Sequence, residues 1–147
     1  MKESIRIAGR DYIFSTPESD AEFFRIVELN EAVHGPGVAA LCRALDGNYP
    51  GMRRDDWYAV AAPGSDRALS TLCRIPTTWL YRSGPRRDGT RRDGTPDDVV
   101  EVPLRAAELS IVATAEDARG LGLSGWLIRR YAKDSAALGF KIGRAHV

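Results

Sequence analysis

The stretch from Glu108 to Leu138 constrains this chain more than any other, because it sets a strand, a glycine loop and a helix start in immediate succession. Leu109 to Thr114 reads as an apolar strand, and Gly125 to Leu138 places Trp126, Leu127 and Tyr131 at helical spacing, where they are expected to pack on a sheet. Between them stands Ala115-Glu-Asp-Ala-Arg119-Gly-Leu-Gly122-Leu-Ser124. The first amides of a helix have no intrahelical acceptor and carry the positive end of its dipole, so such a junction favours an anion. Gly120 and Gly122 let the backbone approach it, and Arg119 adds a fixed charge with a donor fork suited to phosphate.

Two patterns fit these residues. Gly120-Leu-Gly122-Leu-Ser-Gly125 matches the G-x-G-x-x-G of dinucleotide folds, but there the strand runs almost directly into the first glycine, whereas five largely polar residues intervene here. Arg119-Gly-Leu-Gly122-Leu-Ser124 resembles the [R/Q]-x-x-G-x-[G/A] loop with which the GNAT superfamily of N-acetyltransferases grips the pyrophosphate of acetyl-CoA, and Leu138-Gly139-Phe140 falls in the register of that family's helix end. Three residues depart from the pattern: Ser124 replaces Gly or Ala, Glu116 stands where Pro is common, and Leu121 replaces a frequent basic residue. The similarity spans Ala107 to Phe140, and before that only the order of elements agrees.

The resemblance implies an α/β fold with a mixed, mostly antiparallel sheet flanked by helices, and acetyl-CoA as acyl donor with no metal. It implies that the backbone of Val112, Ala113 and Thr114 pairs with pantetheine, one N–H facing the thioester oxygen. Arg119, Gly120, Leu121, Gly122, Leu123 and Ser124 would then hold the diphosphate. The acceptor would be a small-molecule amine or a lysine side chain, whose ammonium, with a pKa of about 10.4, must lose a proton before attack. Glu108 is the candidate general base: it lies eleven positions before Arg119, where the base glutamate falls in the histone-acetyltransferase branch. Glu101 and Glu116 are weaker candidates. Two other readings stand beside this one, a non-catalytic acyl-CoA sensor and a relative that makes N-acyl amino acids or acyl-homoserine lactones from longer acyl chains.

The chain of 147 residues is long enough for one domain, and its formal charge of +1 gives no footprint for nucleic acid or a membrane surface. Short apolar runs and an opening without a signal pattern make a soluble cytoplasmic protein the expectation; homodimerisation stays open. Cys42 and Cys73 lack metal-type spacing and read as two buried thiols. Lys141 to Val147 reads as the translation of a sequencing adapter, so the expected domain is a partial one over 1–140, continuing in the natural protein with further strands, a helix and the family's acid tyrosine. A chain without them is expected to bind CoA weakly and to turn over slowly or not at all, the full-length parent being the active form: about four loop hydrogen bonds contribute about 6–12 kcal/mol gross, against an association cost of about 4–15.

Upstream, Arg10–Ser15 alternates as a first strand, and Ser19 or Asp20 caps a helix through Phe23, Ile26, Val27 and Val33 that Gly35-Pro-Gly37 ends. Val38–Leu45 predicts a short helix closed by Gly47, and Trp57–Ala61 with Ala68–Ile75 a hairpin around Pro63-Gly64. Pro76 is expected to interrupt that strand, which Thr77–Tyr81 resumes at an edge. The tandem Arg-Arg-Asp-Gly-Thr of 86–90 and 91–95 predicts a solvated loop, and Val99–Leu104 a returning strand. Trp57 and Trp79 read as strand residues, and His34 as an exposed residue before a turn.

Overall fold

The computed structural model describes residues 1–83 and 100–142. The Arg-Arg-Asp-Gly-Thr repeat, the side chain of Glu101 and residues 143–147 lie outside them. Among the described residues, six strands form one sheet whose spatial order is their chain order: β1 (Lys2–Ile7), β2 (Arg10–Ser15), β3 (Trp57–Ala61), β4 (Ala68–Ser83), β5 (Val100–Thr114) and β6 (Lys141–Ile142). The first five run antiparallel, and β6 pairs in parallel with β5 through Ala106–Lys141 and Ala107–Ile142. Helices α1 (Asp20–His34) and α2 (Val38–Asn48) cover one face, and α3 (Leu123–Ala137) the other.

The expected α/β class with a mostly antiparallel sheet is therefore what the chain adopts. β3 lies between β2 and β4 with helices over both faces, which is why Trp57–Val60 is buried without alternation. Trp57, Ala59 and Cys73 face α1 and α2, where they meet Phe23, Ile26, Val27, Cys42 and Leu45. Tyr58, Val60, Leu72 and Phe14 face α3 and pack on Leu123, Leu127 and Tyr131. Both cysteines are free and buried, as expected of an isolated pair without metal-type spacing.

Helix ends follow local chemistry. The Ser19 hydroxyl accepts from the Glu22 amide at 3.2 Å, and the Glu22 carboxylate reaches back to the Glu18 amide at 2.8 Å, so two orphan donors at the start of α1 are satisfied. At the end of α3, Gly139 N–H donates to Ala136 O and Phe140 N–H to Ser135 O, the paired bonds of a Schellman stop around a left-handed glycine.

Four expectations need correction. Arg10–Ser15 is the second strand: Lys2–Ile7 precedes it across the two-residue turn Ala8–Gly9, both residues left-handed. α2 runs through Gly47 to Asn48, and its cap, Tyr49, donates back to Leu45 O. β4 is unbroken, with Pro76 opposite Ala107, because β3 begins at Trp57, opposite Cys73, and among the described residues no strand pairs with that side of β4 beyond it, where a missing N–H costs little. The two segments predicted on either side of Arg105–Glu108 are one strand, β5.

Candidate functional site

The candidate site begins at an irregularity in β5. Thr71 pairs with Ala113 and Cys73 with Ser110, so Leu72 alone opposes both Ile111 and Val112. This β-bulge puts Ile111 at φ 46°, a left-handed conformation that a β-branched residue adopts only when its surroundings impose it, at about 1–3 kcal/mol. Past the bulge the strand is pinned again. The Ser70 hydroxyl donates to Ala113 O at 3.1 Å and lies 2.9 Å from Thr114 Oγ1, while Ala115 N–H donates to Leu69 O at 2.8 Å. On the other edge β6 reaches only Ala106 and Ala107, so among the described residues no strand flanks Glu108–Thr114 there.

A single 3-10 turn, Glu116–Ala118, carries the chain from β5 into the glycine loop. Ala118 is buried beneath it, and Arg67 from the β3–β4 connection clamps it with two bonds to Asp117, 2.7 and 2.8 Å. That clamp holds the Asp117 carboxyl below its usual range. Gly120 and Gly122 follow at φ 78° and 79°, and a Cβ on either would meet no close contact, so backbone conformation and not crowding requires glycine.

Gly122 caps α3, and the first helical bond runs from Trp126 N–H to Gly122 O at 3.0 Å. Among the described residues, the amides of Gly120 through Gly125 have no backbone acceptor. Six donors therefore gather at the positive end of a 15-residue helix. A cleft of about 610 Å³ opens beside the loop, lined by Arg25, Glu28, Leu29, Arg67, Glu116 and Arg119.

The sequence-predicted residues distribute along this strand and loop. Arg119, Gly120 and Gly122 are exposed, Leu121 and Ser124 are half-buried, and Leu123 is a core side chain of which only the amide faces the junction. Val112 and Thr114 are half-buried and Ala113 is buried. Glu108 is exposed and accepts from the Trp79 indole N–H at 3.4 Å; Glu116 is exposed on the loop side. About 20 Å of strand separates Glu108 from Thr114. Trp126, Leu127 and Tyr131 pack on the sheet as expected, and Tyr131 Oη donates to Ala107 O at 2.7 Å, which burial accompanies by raising the phenol pKa.

Three features escaped the sequence. Neither the bulge at Ile111 nor the Arg67 clamp has a local signature, since each depends on a partner strand or a residue 50 positions away. The third is His34, exposed as expected yet with Nε2 3.1 Å from Val112 O, across 78 residues of sequence. No family model matches the chain, and no curated protein is detectably similar to it in sequence. No helix among the described residues is long and apolar enough to cross a membrane.

Proposed function

We propose that the chain is an acyl-CoA-dependent N-acyltransferase domain of the GNAT type, transferring an acetyl group to a primary amine by direct attack. The observation that carries this reading is the run of amides from Gly120 to Gly125 without backbone acceptors, at the start of α3 and directly after a bulged strand with one open edge. Those amides with Arg119 would take the diphosphate of acetyl-CoA. The open edge of Val112–Thr114 would accept the pantetheine arm as a further strand, and the bulge turns the backbone there out of the regular ladder, toward an acyl carbonyl.

Glu108 is the base in this reading. It lies on the same strand, upstream of the bulge and in solvent contact, so a proton taken from the acceptor ammonium can pass to water. The acceptor is a small-molecule amine or a lysine side chain.

The test is a titration of the ¹⁵N-labelled chain with acetyl-CoA to millimolar concentration. Amide shifts confined to 112–114 and 119–125 are the expected result. If those amides stay unmoved, the chain is not an acyl-CoA protein.

A further inference from the structure

We propose that His34 is a positioning residue for the β5 bulge, the side chain from α1 that holds the strained backbone of Ile111–Val112 in the form that meets an acyl group. Three observations converge. Ile111 is left-handed although it is β-branched. The carbonyl of the next residue, Val112, is met by His34 Nε2 at 3.1 Å. His34 itself is the last residue of α1, where Gly35, at φ 89°, turns the chain away immediately afterwards.

A carbonyl can only accept, so His34 must carry its proton on Nε2. Both the Nε2–H tautomer and the imidazolium satisfy this. The bond fixes the peptide plane between Val112 and Ala113, one residue after the strain; on the far side of that plane the Ser70 hydroxyl holds Ala113 O. With both carbonyls held, the backbone after Ile111 has little freedom to redistribute the extra residue of the bulge, and Ile111 stays left-handed.

The link between bulge and acyl donor rests on the proposed acyltransfer reading, but the link between His34 and the bulge does not. The experiment therefore has two arms on the 147-residue chain. In the first, the three-bond HN–Hα coupling and ¹³Cα/¹³Cβ shifts of Ile111, which report φ, are compared in wild type, His34→Ala and His34→Gln. His34→Ala is expected to move them toward extended values, and His34→Gln, whose amide can donate to the same carbonyl, to restore them. In the second, acetyl-CoA affinity is expected to fall about two- to twelvefold in His34→Ala, the range of one hydrogen bond. That loss is expected to be smaller in an Ile111→Gly background, where left-handed geometry is free.

Unchanged Ile111 parameters in His34→Ala overturn the proposal outright. Moved parameters with unchanged affinity, in a chain that does bind acetyl-CoA, overturn its acyl-site role. A wild-type chain that does not bind acetyl-CoA overturns the acyltransfer reading instead, and the first arm still decides whether His34 sets the bulge.

Discussion

Arg74 and Asp56 form a buried ion pair, 2.7 Å apart and only 5% and 6% exposed, on the sheet face that α3 covers. A further donor of Arg74 is placed as well: Nη1 donates to Tyr58 Oη at 3.0 Å, and Tyr58 Oη donates on to Asp134 at 3.0 Å. Asp134 in turn accepts from Arg130, whose other end reaches Glu3 at 2.7 Å. A chain of alternating charges thus ties the turn before β3 to α3 and to β1. Removing one partner strands the other in a dry site. Asp56→Ala is expected to cost about 3–5 kcal/mol in urea unfolding. A loss under about 1 kcal/mol would show that water reaches Arg74.

Gly122→Ala isolates the backbone requirement of the loop. The added methyl would sit 3.6 Å from Ile7 Cγ2, an ordinary contact, so the penalty comes from φ 79° alone. About 1–2 kcal/mol of stability is expected to be lost, together with weaker binding of CoA as the first amides of α3 turn. Thermal unfolding and calorimetric titration read the two effects separately; full CoA affinity in a destabilised variant would separate the loop from the ligand.

Glu108→Gln, made in a chain that also carries the later strands and acid tyrosine the resemblance implies, distinguishes an enzyme from a sensor. A positioned base contributes about 10²–10⁴-fold, so turnover with an amine acceptor is expected to fall by that range while acetyl-CoA binding is retained. Glutamine keeps the shape and can still accept from the Trp79 indole. In that longer chain, acetyl-CoA binding without acetylation of any amine in a broad acceptor panel would favour the sensor.

Alkaline pH is expected to unfold this protein before acid chemistry of the loop matters. Burial holds Cys42, Cys73, Tyr58 and Tyr131 above their ordinary values, desolvation being the largest cause at each. With raised folded-state values, the unfolded chain releases these protons first, so their contribution is complete below the unfolded values and is lost as pH rises. Unfolding free energy should fall from about pH 8.5, where free thiols ionise, and more steeply near 10. A Cys42→Ala/Cys73→Ala variant should lose the first part of that fall. A flat profile to pH 10 in wild type would contradict the burial of these groups.

Much of the molecule was legible locally. Ser19 with Glu22, the spacing of Phe23, Ile26 and Val27, and Gly139 after Leu138 mark helix ends and faces through bonds within a few residues, and the structure forms them. Lys2–Ile7 escaped notice because four of its six residues are polar and its turn is Ala-Gly, not Asn-Gly; pairing with β2 makes it a strand. Pro76 and Gly47 misled in the opposite direction: each breaks a regular element in isolation, and neither breaks one where a partner is already absent or packing extends the helix. The loop from Arg119 to Ser124 was readable from its glycines. The bulge above it was not, since an isoleucine at positive φ is a property of register and of His34, set by contacts that no window of sequence contains.

The β1–β2 and β3–β4 ladders join strands separated by short connections and can close by local zippering, whereas β2–β3 must wait for α1 and α2, which lie between Ser15 and Trp57. The parallel β5–β6 contact likewise awaits the crossover through α3. Emerging from a ribosome, strands one to five could assemble in order of synthesis. The face holding the buried Asp56–Arg74 charges would remain wet until α3 arrived, which makes docking of that helix the step that commits the chain to its native state.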